Sequence, residues 1–178
     1  LILLILMLPA IHVHGQHEKI FKRFFRDAEF YSLSGEYTKA LGFYEELLIL
    51  DPTNCNLHYL YGDCCLNIEN KNEEAIDHLK QSAYCTNQNY RVGSYKERNA
   101  PLIVDFLLAK SYHINNSFLL AISSYEKYKD NLDIFQFAEN EYVNRQIKSC
   151  ILAMSMMNSP IDMKITQVTG GKDQEYST

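Results

Sequence analysis

Residues 107–132, LLAKSYHINNSFLLAISSYEKYKDNL, set Lys110, Ser111, Tyr112 and His113 side by side and place Tyr125 four positions before Lys129. A Tyr-x-x-x-Lys spacing lets an ammonium lower a tyrosine pKa, which is the proton donor a reductase uses. Such an enzyme also needs a glycine-rich turn after a strand to hold its dinucleotide, and the chain has no GxGxxG-like run. His17-Glu18 begins like a zinc-peptidase helix, yet the fifth position is Phe21 rather than histidine, so the ligand pair fails. His12, His14 and His17 form a loose cluster on polar chain. There is no GxSxG and no phosphate loop, and Asn115-Asn116-Ser117 is a formal glycosylation sequon within a turn. Glu73-Glu74 and Glu139/Glu141 suit solvated helix faces or first-turn charges favoured by the helix dipole. No catalytic residue, metal or cofactor is expected.

The elements around these residues are set by composition and period. The chain has 178 residues, 47% hydrophobic and 22% charged, which fits one globular domain with a core. Thirteen tyrosines, nine phenylalanines and no tryptophan accompany only seven glycines and four prolines, too few turns for a many-stranded β fold. A net charge of -5 without a basic run excludes a phosphate-backbone footprint, and so nucleic acid. Residues 1–10, LILLILMLPA, followed by IHVHGQHEK, have the form of the apolar core of a signal peptide. Residues 1–16 are expected to be part of such a leader, a signal anchor being the alternative. The five cysteines, at 55, 64, 65, 85 and 150, are expected to be small buried apolar residues.

An internal repeat organises the rest. Residues 28–52, AEFYSLSGEYTKALGFYEELLILDP, align with residues 109–133, AKSYHINNSFLLAISSYEKYKDNLD. Small residues coincide at Ala28/Ala109 and Ala40/Ala121, and aromatic ones at Tyr31/Tyr112, Tyr37/Phe118 and Tyr44/Tyr125. The middle segment fits with Gly62, Cys65, Ala75 and Leu79. Apolar residues recur at helical spacing on both sides of the polar breaks SGEY, ENKNEE and INNSF. Each unit is therefore a helix hairpin whose small residues let two axes approach, and whose apolar face is buried only by stacking on its neighbours.

This pattern resembles tetratricopeptide repeats. The resemblance implies an all-α fold, a right-handed α-α superhelix of about three hairpins. The domain spans residues 17–158, with repeats at about 21–54 (closing at Pro52), 55–87 and 102–135. A linker at 85–101 is expected to extend a helix and then loop to Pro101, which opens the next one. A capping helix follows at about 137–158. Residues 159–178 carry a β-prone alternation, expected to begin a following β domain. The stretches SYKERNAP and NSPIDMKITQVTGG are similar to the repeat region of bacteroidete envelope proteins that join such repeats to a β-propeller and an OmpA-like peptidoglycan-binding domain, some in the type IX secretion machinery.

The resemblance also implies a concave groove lined by the first helix of each hairpin. Phe24, Ala28 and Tyr31, then His58, Gly62 and Cys65, then Leu108, Ala109 and Tyr112 are expected to pack. Residues offset by about one position, Phe25, Glu29, Tyr59, Asp63, Phe106, Lys110 and His113, are expected to face the groove. Aromatic rings stand where chaperone-binding relatives use a Lys/Asn/Arg carboxylate clamp, which favours a peptide gripped by aromatics. The alternative is that these rings pack on the linker or a neighbouring domain. The same frame brings the helix ends at Cys55 and Cys85 together, so any bridge is expected there. The expected function is a non-enzymatic interaction scaffold at the periplasmic face of the outer membrane. It would bind protein or peptide partners, touch peptidoglycan only through a missing C-terminal domain, and have no membrane span once the leader is removed. A stand-alone periplasmic peptide-binding module and a regulatory array fused to a missing catalytic domain are the alternatives.

Overall fold

The computed structural model describes residues 2–133 and 135–157, with side chains from residue 16 onward. Within them, helices α1 (Ile2–Leu33), α2 (Tyr37–Leu50), α3 (Cys55–Cys65), α4 (Asn72–Ser82), α5 (Val104–Ile114), α6 (Phe118–Asp130) and α7 (Phe137–Met157) pack in chain order, each on the next. Three hairpins, α1–α2, α3–α4 and α5–α6, stack and α7 closes the far end. Helix α1 continues unbroken through residues 2–15, the segment whose composition suggests a leader. Among the described residues no helix is long and apolar enough to cross a membrane. The expected β-prone segment at 159–178 lies outside the described residues.

Each polar break folds into the turn inside a hairpin. Gly35, Asn70 and Asn116 take the left-handed backbone there, at φ of 77°, 62° and 57°. Glycine and asparagine tolerate that region best. In hairpins one and three the geometry is a Schellman cap. The amide of Glu36 bonds the carbonyl of Tyr31 and that of Ser117 bonds Tyr112, both at 2.9 Å, satisfying carbonyls the helix leaves free.

The small residues let the helices close in. Ala28, Ala40, Ala75, Ala109 and Ala121 are fully buried, as are Leu79 and Cys65, with Tyr44 and Tyr125 filling the space beside them. At Gly62 an added Cβ would stand 2.7 Å from Leu79 Cγ, so α3 and α4 approach as only glycine permits. Tyr31 is half-buried and stacks on Phe43 at 5.6 Å. Pro52 is exposed, and its carbonyl takes a hydrogen bond of 3.0 Å from His58 Nε2. Two cores result. One joins hairpins one and two with Val104 and Leu108. The other packs Val143 and Cys150 of α7 against Ala109, Phe118, Ala121, Tyr125 and Tyr128, and half-buried Tyr112 touches both.

The linker departs from expectation. Helix α4 ends at Ser82 rather than continuing, and residues 86–100 form a strap whose ends meet in a parallel bridge between Thr86 and Ala100. Pro101 lies three residues before α5 and caps it by accepting the Val104 amide at 3.1 Å. The physical reason lies in the strap's own ties, which replace the missing helical bonds.

Candidate peptide-binding groove

The strap closes on itself before it meets the groove. Ala100 N–H donates to the Cys85 carbonyl at 2.9 Å and Asn87 N–H to the Ala100 carbonyl at 2.8 Å. Glu97 is buried inside the loop and accepts the amides of Asn99 and Arg98 at 3.0 Å and that of Arg91 at 3.3 Å. The Asn99 amide foremost, with those of Arg91 and Arg98, holds the Glu97 carboxyl below the usual carboxylate range against the opposing effect of burial.

Two anchors fix the loop to the array. Cys85 is joined to Cys55 at the start of α3 by a disulfide, with Cα atoms 6.2 Å apart. At the other end Arg98 grips Asp51 with a two-pronged ion pair, Nη2 to Oδ1 at 2.8 Å, while its carbonyl accepts the Asn56 amide at 3.1 Å. The bridge corrects the expectation that all five cysteines are buried thiols. The buried free thiols are Cys64, Cys65 and Cys150, and burial pushes Cys64 up to about 11 and Cys65 up to about 12, away from reactivity.

Between its anchors the strap lies on α1 and α3, the inner helices of the first two hairpins. Tyr90 donates from its hydroxyl to Asn56 Oδ1 at 2.7 Å and sets its ring edge-on to Tyr59, centroids 6.1 Å apart. Gly93, at φ 68°, passes over Glu29; a Cβ there would sit 3.9 Å from Glu29 Oε2. Tyr95 donates to Glu18 at 3.0 Å, with Lys22 5.4 Å from its ring centre. Burial pushes Tyr59 up to about 12 and raises the Glu29 carboxyl, which a 3.1 Å hydrogen bond from Tyr44 only partly offsets.

The residues expected to face the groove therefore divide. Phe25 does not face it at all; at 3% exposure it belongs to the first core, while Phe24 is half-buried with its ring 5.9 Å from Phe43 of α2. Glu29 and Tyr59 lie beneath the strap. Asp63 of α3 is half-buried, its carboxyl raised by burial and lowered by Lys110 across the gap on α5. Phe106, Lys110 and His113 come together in an open cleft of about 300 Å³ between α5 and α7, completed by Ile114, Tyr125, Tyr142 and Gln146. Phe106 forms its floor, 5.4 Å from Tyr128, 5.7 Å from Tyr125 and 6.0 Å from Tyr142 between ring centres. His113 stands edge-on to Phe118 and Tyr125, at 5.8 and 6.3 Å. Lys110 is exposed at the rim.

Sequence reasoning missed Tyr142 and Gln146 because α7 reads only as a cap, and missed Tyr90, Tyr95, Glu97 and Arg98 because they lie in a polar linker. The signal available was the density of aromatic and charged residues in NYRVGSYKER, unusual for a spacer. The Tyr125/Lys129 pair is not a proton donor with its activator. Burial raises the Tyr125 pKa, and Lys129 Nζ points to Asn144 Oδ1 of α7 at 3.1 Å. Among the described residues no three histidine, cysteine or acidic side chains gather as a metal site requires.

Stacked hairpins with small residues at their contacts and a cap at the end define a tetratricopeptide-like helical-repeat protein. Residues 16–82 match the family described as anaphase-promoting complex, cyclosome, subunit 3. Among solved structures the chain is similar to the type III secretion translocator chaperone SycD of Yersinia enterocolitica, at 18% identity and a TM-score of 0.58, over 75% of this chain and 85% of that one. A second structure of SycD, in complex with a peptide of the translocator YopD, matches at 18% identity and a TM-score of 0.57, over 74% of this chain and 92% of that one. Comparison with curated proteins gives no significant match.

Proposed function

We propose that this chain is a non-enzymatic interaction module that holds a peptide segment of a partner protein in the cleft between α5 and α7. The observation that carries this is the cleft itself, where a floor of Phe106, Tyr125 and Tyr142 meets Lys110 and His113 at the rim. A hydrophobic side chain of the partner fits the ring cluster, and an adjacent carboxylate fits the lysine and histidine. The likeness to SycD, one structure of which holds a translocator peptide, supports the reading at the level of fold.

The same proposal takes the module to be exported and to work in the cell envelope, as the repeat region of a peptidoglycan-anchored, outer-membrane-associated protein. The Cys55–Cys85 bridge supports an oxidising compartment, since such bridges are kept reduced in most cytosols. Capture of envelope proteins on immobilised wild-type chain and on a Lys110→Ala/His113→Ala variant tests the cleft. Each truncation is expected to cost about 1–2 kcal/mol, so that partner recovery falls at least ~10-fold. Equal recovery by a variant of unchanged helicity would remove the cleft from the function.

A further inference from the structure

We propose that residues 86–100 are a displaceable occupant of the groove, and that the face they cover on α1 and α3 accepts in their place a tyrosine-bearing loop of another protein. The strap shows by example what that face recognises. It is a loop of successive turns, it offers one tyrosine hydroxyl to Asn56 and the ring to Tyr59, and Gly93, at φ 68°, supplies the left-handed turn that passes over Glu29. A second tyrosine reaches Glu18 and lies near Lys22. These are the contacts of peptide recognition, polar tips fixing register and rings supplying area. This face is separate from the α5–α7 cleft, and the inference does not depend on that cleft.

The strap is held at few points. Its body meets the array through the two tyrosines and Gly93 over Glu29, and its firm ties lie at its ends, the Cys55–Cys85 bridge at one and the Asp51–Arg98 pair, the Asn56 amide on the Arg98 carbonyl and buried Ala100 at the other. Cys85 is half-buried while Cys55 is buried, so of the two sulfurs that of Cys85 lies nearer solvent. A dithiol opens the bridge by exchange. Its first thiolate attacks one sulfur and the other leaves as a thiolate. Its second thiol then closes the reductant to a disulfide, and two electrons and two protons pass to Cys55 and Cys85 as thiols. Opening the bridge loosens one end of the strap; losing the Arg98–Asp51 pair loosens the other, leaving the Asn56 amide on the Arg98 carbonyl and buried Ala100 to hold it.

The test uses the full chain and a fluorescent peptide with the sequence of residues 87–99, NQNYRVGSYKERN. Oxidised wild-type chain is expected to give no saturable binding. Arg98→Ala chain treated with a dithiol is expected to bind the peptide. A peptide with phenylalanine in place of Tyr90 is expected to bind about 3- to 10-fold more weakly, the loss of one hydrogen bond. Hydrogen exchange reads the strap directly at the amides of Asn87 and Arg91, whose partners Ala100 and Glu97 lie across the loop. Strap amides that exchange freely in a helical chain that takes no peptide would overturn the proposal. Equal peptide binding by oxidised and reduced chains, or equal strap protection in both, would also overturn it. If Arg98→Ala loses helicity, dithiol-treated wild type gives the same outcomes.

Discussion

Glu29 accepts a hydrogen bond from Tyr44 at 3.1 Å and lies under Gly93, so its carboxyl loses water where the strap crosses α1. Burial, the larger effect, raises its pKa when the chain folds. The folded state then binds more protons than the unfolded one above the ordinary carboxylate range, so stability falls as pH rises through that window. Glu29→Gln keeps an acceptor for Tyr44 and removes the charge. Urea denaturation is expected to show a higher midpoint for the variant than for wild type at pH 8, with the difference vanishing near pH 4. A lower midpoint at pH 8 would mean the charge is not a burden. At this scale the sequence was legible where a residue's size decides its place, as at Ala28, Ala109 and Gly62. It was not legible where one position of helical rotation decides, which is how Phe25 came to be expected in the groove and lies in the core.

Elements were legible in proportion to how local their causes are. The three hairpin turns follow from Gly35, Asn70 and Asn116, residues that take the left-handed backbone within polar breaks. The strap's causes are distant: Arg98 meets Asp51, Tyr95 meets Glu18, and Cys85 meets Cys55. Periodicity carries no trace of such pairings, so a linker was expected to prolong α4. The bridge closes a loop with a sequence separation of 30, and cross-linking a loop of that size stabilises a fold by about 2–4 kcal/mol through the unfolded chain. Cys55→Ser/Cys85→Ser is expected to lose about that much in chemical denaturation. The midpoint of wild type should drop to the variant's on adding a dithiol. A midpoint indifferent to dithiol would show that the bridge is absent in solution.

Across the whole molecule the two cores divide the labour. The first is larger, covalently closed and covered by the strap; the second rests on α7 folding down over hairpin three. Repeat arrays open from their ends because each unit is held mainly by its neighbours. Val143, fully buried on α7, is expected to report this: Val143→Ala should weaken hydrogen-exchange protection of α6 and α7 by about 1–3 kcal/mol and leave α3 and α4 nearly unchanged. Uniform loss across all helices would show one cooperative unit instead. The all-α class and hairpin count were legible because three units repeat one pattern, whereas the division into two cores was not, since it depends on how α5 shares its faces between hairpin two and α7.

The bridge also changes how the chain bears load. In a scaffold, force enters at one terminus and leaves at the other, and a simple array pays out its full length as hairpins unzip. Here residues 55–85 are shunted by the Cys55–Cys85 bond, so tension passes from one sulfur to the other and α4 never lies on the loaded path. A separation of 30 residues corresponds to roughly 100 Å of extended chain held in reserve at ~3.4 Å per residue. Pulled from its ends, the chain is thus shorter when oxidised than when reduced.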